Sequence, residues 1–347
     1  MIRILFISLV IWIWVGCLFA QKEDSVIIIY DTNYIEDLSD KLSVRIYGIS
    51  KYNKFELNDL DSNVNIKYAP NGNLNFGVGV NYKWFGLGVA FNFPFINNDD
   101  NKYGKTKRFD AQTNIFTNSL AIDIYYQYYK GFYIENPESY LPDWKSEDPY
   151  PQRPDIVTNG FGGSCLYAFN YKKYSAKATF VQTEMQKKSA GTFLLGGYFS
   201  WFDVAGDSSF IPYQIKDYFD STRYFNNISV FGIGVAGGYS HTFVVWKKLY
   251  ISLTLVPGIA VQSFDIKYID GIAENKNGSF ISGRLSGRFA LLWNSEKWYT
   301  GITTVSYNFI GYGGKELKNS MSYEVGVFRF FYGRRFTIKG KKSKNPA

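Results

Sequence analysis

Histidine, cysteine and methionine are nearly absent from this chain, at one, two and three residues among 347. Cys17 falls in an apolar N-terminal stretch, so Cys165 is left without a partner. Neither an intrachain disulfide nor a cysteine metal centre is then expected. The lone histidine, His241, follows Ser240, and adjacent residues of a strand point to opposite faces. Nucleophilic catalysis needs a base beside the hydroxyl, so a serine would have to come from a neighbouring strand, and the expectation is no enzyme. After the N-terminus no apolar run approaches the roughly 20 residues of a spanning helix. No helical period interrupts the chain either, which argues against βαβ folds.

What is abundant is two-residue alternation. In NLNFGVGVNYKWFGLGVAFNF, Leu74, Phe76, Val78, Val80 and Tyr82 alternate with amides and glycines, and Phe85, Leu87, Val89, Phe91 and Phe93 repeat the pattern. A period of two means extended strand. A soluble sheet would turn the apolar face inward, whereas a membrane barrel turns it to lipid. Length decides between them. Alternating runs of about nine to thirteen residues recur from Leu42 onward, as a tilted spanning strand requires, against about five or six in soluble domains. Aromatics at 19 % suit strands and interfacial girdles. The fold expected is all-β, a single antiparallel transmembrane β-barrel of about 12–14 strands, one of them at 174–186. Connections alternate between short turns and long loops such as 94–106, 134–156 and 204–226. The alternation slips once before 204–226, so either a strand is miscounted or one long segment, with a short helix in SFIPYQIKDYFD, lies on the periplasmic side.

The first residues, MIRILFISLVIWIWVGCLFAQ, place Arg3 before an apolar run and then Ala20-Gln21, the pattern of a secretory signal cleaved after Ala20. A lipoprotein site at Cys17 is the rival reading. The expected organisation is a signal peptide at 1–20, a periplasmic lead-in at 21–40, an outer-membrane barrel at 41–338 and a basic tail at 339–347. The net charge of +8 lies largely in that tail and in charged turns, and an exported chain of this kind is not expected to bind nucleic acid.

Near the C-terminus, Gly333, Phe336 and Ile338 approximate the Gly-x-x-aromatic-x-apolar pattern of a closing barrel strand, which resembles the signal read by the outer-membrane insertion machinery. SDKLSVRIYGISKY, IKYAPNGNLNFGVGVNYKW, KTKRFDAQ, YYKGFY, QRPDI and QTEMQKKSAGTFLLGG follow one another across most of 34–340. Together they resemble successive blocks of a Bacteroidota family of outer-membrane β-barrel proteins, a domain-of-unknown-function family. The resemblance implies an outer-membrane barrel with outer-membrane lipids and the insertion machinery as partners, and it supplies no site residues.

Apolar faces turned to lipid leave Arg45, Lys67, Lys83, Asp110, Gln112, Asn114, Asp123, Lys177, Arg284, Arg288 and Glu324 for the lumen. An Arg or Lys facing the bilayer midplane would cost about 2–4 kcal/mol. Arg284 and Arg288 share a face and form a basic stripe suited to anions. Small residues such as Gly77, Gly79, Gly86 and Gly88 leave room on the inner wall for long side chains from other strands. Such a lumen is a channel for small solutes, a self-filled barrel serving an envelope partner, or a pocket for a lipid or glycan. A barrel-wall lipid hydrolase using His241 is the least favoured class.

Other motifs carry weaker readings. Gly232, Gly234 and Gly237 spell GxGxxG without the helix a nucleotide fold needs, so no cofactor is expected. The acidic, proline-rich loop 135–155 suits calcium only in its oxygen content, and no metal is assigned. Its Tyr140, Trp144 and Tyr150 suit either sugar stacking or packing over the barrel mouth. Lys187 and Lys188 in QKKSAG suit a solvated turn better than lipid phosphates.

Overall fold

The structure is a computed structural model describing residues 29–59, 65–83, 85–93, 95–218, 225–269, 274–310 and 319–338. The expected signal peptide with its cleavage at Ala20-Gln21, Cys17 and the expected tail at 339–347 lie outside the described residues. The alternating runs form β2 (Lys41–Asp59), β3 (Asn65–Ala69), β4 (Leu74–Tyr82), β5 (Phe85–Asn92), β6 (Lys107–Phe116), β7 (Leu120–Ile134) and β8 (Gln152–Ala168). They continue as β10 (Ala190–Ala205), β11 (Phe225–Val245), β12 (Leu249–Tyr268), β13 (Lys276–Asn294), β14 (Trp298–Ile310) and β15 (Asn319–Thr337). All belong to one antiparallel sheet, while β1 (Ile35–Asp37) and β9 (Glu184–Gln186) pair separately.

Ten strands close the ring, in the order β2-β15-β14-β13-β12-β11-β10-β8-β7-β3 and back to β2. The closing ladder runs from Lys41↔Thr337 to Asp59↔Asn319. The expected 12–14 strands therefore divide differently: thirteen lie in the sheet, and β4, β5 and β6 stand outside the closed path. The cause is the shortness of β3. It reaches β2 only at Phe55–Asn58 and β7 only at Tyr133 and Ile134. Below it, toward the end where β2 begins and β15 finishes, β2 pairs β4, β4 pairs β5, and β7 pairs β6. β5 and β6 make no ladder with each other. The wall thus has a seam on its terminal side.

Exposure shows which face meets the membrane. Val78, Leu87, Val89, Phe91, Ile233, Val235, Leu253, Leu255, Ile259 and Ile281 are all exposed, an apolar band that only hydrocarbon satisfies. Trp246, Trp293, Trp298, Tyr332 and Phe336 gather at the terminal end as an aromatic belt. Among the described residues no helix is long and apolar enough to cross a membrane.

The slip in loop lengths has a simple origin. Residues 174–186, expected as a strand, instead fold into a plug containing the short helix α2 (Ala176–Phe180) and β9. The region is apolar and well hydrogen-bonded, but it has an N-cap: Ser175 accepts from Ala178 N, which stops strand alternation and starts a helical turn. Without that strand, the described part of 204–226, residues 204–218 and 225–226, falls at the far end, where Phe210, Ile211 and Ile215 are buried. The other short helix, α1 (Asp100–Tyr103), lies between β5 and β6. The lead-in is not free either. Its β1 pairs with β9, Ile35 and Leu38 are buried, Lys187 pairs with Glu36 at 3.9 Å, and Lys188 lies over the Tyr34 ring.

Glycine and tyrosine, both abundant, are used together. Tyr47, Tyr125 and Tyr299 stand directly opposite Gly77, Gly162 and Gly333, and a Cβ on any of these glycines would overlap the ring. Phe330 over Gly48 and Tyr52 over Gly326 repeat the device, an aromatic covering a cross-strand glycine. At Gly333 the ring has nowhere to go. Tyr299 is buried, shares a 2.6 Å hydrogen bond with Ser43 and carries Arg335 at 4.6 Å. Gly333→Ala is expected to lower stability by about 1–3 kcal/mol in urea unfolding, whereas Gly287→Ala, whose Cβ meets nothing nearer than 4.0 Å, should leave the midpoint unchanged.

Candidate functional site

The far half of the lumen is filled. Tyr323 stacks between Phe202 and Phe309, with centroids at 4.4 and 4.1 Å, and Phe55 stacks on Tyr68 at 4.7 Å. These join Phe132, Phe210 and Phe225 in one buried cluster. Beneath it Arg284 lies flat on Tyr198, 3.7 Å from the ring centroid. At the terminal end the plug is bolted to the wall. Asn294 donates to Ala178 O and Glu184 O, Arg335 donates to Gln182 O, and Asn81 donates to Val181 O.

Between the plug, β2 and the seam lies a cavity of about 1570 Å³. Ligand pockets for drug-sized molecules run to about 1,000 Å³, so this one has room for something larger. Its walls carry Arg45, Lys83, Asp110, Gln112, Asn114, Asp123, Lys177 and Arg288 from the residues expected in the lumen. Lys177 reaches it from α2 rather than from a strand. Arg284 is buried above it.

Two expected lumen residues face outward instead. Lys67 pairs in register with Glu56 on the outer side of β3, opposite to the buried Ile66 and Tyr68. Glu324 shares its face with the exposed Phe328 and Tyr332 and accepts from Tyr52 and Ser306. A charge is tolerated on the outer face wherever the strand has passed beyond the apolar band. Both sit where the strands run on toward the far end, beside the half-buried Lys54–Glu135 pair at 2.5 Å.

The acids of the cavity wall are already engaged. Asp110 accepts from Lys51 at 2.7 Å, Tyr129 at 2.6 Å and Gln127 at 2.7 Å. Asp123 is buried against Arg288 and also accepts from Asn114 and Ser164. Glu184 holds Lys177 at 3.1 Å and Ser175. The basic stripe of Arg284 and Arg288 is thereby split, one on tyrosine and one on a carboxylate.

Three further guanidiniums in the same cavity have no carboxylate partner among the described residues: Arg45 on β2, Arg329 on β15 and Arg108 on β6. Arg45 and Arg329 flank the Tyr47 ring at 5.7 and 5.8 Å. The glycines of β4 make this possible, since a Cβ at Gly79 would stand 2.8 Å from Arg45 Nε. Buried donors are left over at Arg45 Nε, Arg329 Nε and both Nη atoms of Arg108. Buried charged donors without acceptors are costly. Arg108 and Arg329 were missed in the sequence. The signal was present, since each lies an even number of residues from an inward-facing neighbour, Asp110 and Val327.

The remaining motifs resolve into structure. Ser240 is buried on Thr254 and Tyr174, while His241 lies on the outer face between Tyr239 and Phe243. Gly232, Gly234 and Gly237 belong to β11. Trp144, Tyr150, Tyr103 and Tyr133 form a contiguous aromatic cluster that pins the acidic loop. No group of three or more His, Cys, Asp or Glu among the described residues is placed to hold a metal ion.

A family described as "Domain of unknown function (DUF4421)" matches residues 29–336. No curated protein matches the chain. Among solved structures, the outer membrane protease OmpT of Escherichia coli is 9 % identical, with 87 % of this chain and 98 % of that one covered and a TM-score of 0.39. OmpT of Vibrio cholerae is likewise 9 % identical, covering 84 % and 98 % at a TM-score of 0.26. The toluene transporter TodX of Pseudomonas putida is 6 % identical, covering 86 % and 90 % at 0.18. Likenesses this distant carry no argument about activity.

The two kinds of arginine predict opposite responses. Arg288→Met strands the buried Asp123 and should cost about 3–5 kcal/mol. Arg108→Met removes unpaired buried donors and should raise stability by about 1–3 kcal/mol. Urea midpoints at constant slope check both.

Proposed function

The chain belongs to the DUF4421 family, and from that premise and the cavity we propose that it is a non-conducting barrel that binds an anionic ligand. The observation that carries this reading is the trio Arg45, Arg108 and Arg329, three guanidiniums lining one cavity with buried donors unmet while Asp110, Asp123 and Glu184 are taken by other cations. A guanidinium presents a planar fork of donors that matches phosphate or carboxylate oxygens. Bringing such an anion into the cavity supplies the missing acceptors and relieves the mutual repulsion of Arg45 and Arg329. The aromatic cluster above and the plug below support a closed lumen over an open pore. An outer-membrane setting, reached through a cleaved signal, belongs to the same reading.

Two measurements test it. In a planar bilayer the refolded chain, with insertion verified independently, is expected to give no discrete conductance steps. Titration with inorganic phosphate should give saturable binding that weakens roughly tenfold, the equivalent of one charge-assisted hydrogen bond, in Arg45→Gln and again in Arg329→Gln. Anion-selective steps that vanish in those variants would make the barrel a channel instead.

A further inference from the structure

We propose that the anion is the head group of a bilayer amphiphile, a phosphate-bearing lipid, and that it reaches the arginines sideways through the seam between β5 and β6. This inference rests on the anion-binding reading above and adds the ligand's class and its route. Two observations independent of the arginines carry it.

The first is the seam itself. β5 pairs β4 on one side and β6 pairs β7 on one side, and the two facing edges make no ladder. Both strands carry the apolar band, with Leu87, Val89 and Phe91 exposed on β5 and Phe109 and Ile115 on β6. Within hydrocarbon an open sheet edge is not tolerated, because each unmet N–H or C=O costs several kcal/mol. Such an edge persists only where it borders a polar or water-filled space. An amphiphile lying in the seam meets that need, with its head supplying polar atoms and its tail left in the bilayer.

The second is the extent of the cavity. It is lined from inside by Gly88, Ala90 and Gln112, and it also reaches Leu87, Phe109 and Ile115, whose side chains belong to the outer face. The cavity therefore borders both facing edges, and we take the unpaired seam between them as its opening onto the lipid surface. A soluble anion needs no such opening. The inner face of β5 is all small or amide, with Gly86, Gly88, Ala90 and Asn92, so nothing bulky on that strand obstructs the passage.

The test compares sources and routes. The full mature chain would be reconstituted separately into phosphatidylglycerol and phosphatidylcholine vesicles, extracted, and weighed by native mass spectrometry. Retained phosphatidylglycerol is expected, with phosphatidylcholine, whose phosphate is neutralised by its own cation, retained at least roughly tenfold less. Ala90→Trp and Gln112→Trp narrow the seam without touching an arginine. They should abolish phosphatidylglycerol retention and leave inorganic phosphate binding intact, whereas Arg45→Gln with Arg329→Gln should remove both. Phosphatidylglycerol retained equally by the tryptophan variants would overturn the lateral route. Phosphate binding without lipid retention in the unsubstituted chain would overturn the lipid and leave the anion site standing. Loss of both in the unsubstituted chain would sink the anion-binding reading itself.

Discussion

The ladder between the first long strand and the last, Lys41–Asp59 against Asn319–Thr337, is the interaction on which the rest depends. In hydrocarbon a sheet is stable only when it has no free edge, and joining the two ends of the chain removes the edges of the main ring. Closure then fixes everything inside. Inward residues of ten strands must fill a space too narrow to stay empty, and the aromatic stack around Tyr323 fills the far half of it. At the other end the ring is wider, because β4, β5 and β6 are interposed, and there the interior holds a plug and a cavity instead of a core.

That difference between the two ends explains where polar chemistry collects. Arg288 with Asp123, and Lys51 with Asp110, are cross-barrel pairs that satisfy themselves. Such pairs are structural fasteners. Arg45, Arg108 and Arg329 differ in standing against the cavity with donors unmet. A chain selected for stability alone would replace them with apolar side chains. An anion arriving from outside, as proposed, would give those donors their acceptors.

Much of the fold was legible because strand period and strand length are read directly from residue order. Leu74–Phe93 shows this well: Val78, Val80, Leu87, Val89, Phe91 and Phe93 are exposed to lipid, and Gly77 and Gly88 lie under Tyr47 and Gly79 under Arg45, as room for long side chains requires. The plug was misread for a physical reason. Residues 174–186 are as apolar and as long as a strand, and only the local cap at Ser175 separates them from one. The thirteen strands of the sheet fall within the expected 12–14, but that only ten of them close the ring could not be read, since pairing partners are a property of distant segments. The arginine trio was half visible. Position on a strand gives the face of a charge, but whether an acid waits across the barrel depends on register between strands hundreds of residues apart.

The plug also has a place in time. It lies near the middle of the chain, so it emerges well before the last strand, yet its Gln182 carbonyl is gripped by Arg335, two residues from the end of β15. Asn294, on a strand formed late in the chain, holds the plug's Ala178 and Glu184 carbonyls and is itself bonded by Arg335. The wall's grip on the plug is thus complete only once the last strand is in place. Contacts so distant in sequence are slow to form, and here the slowest of them, the ring's own closure, is also the step that locks the plug. Seating of the plug therefore reports that the barrel is complete.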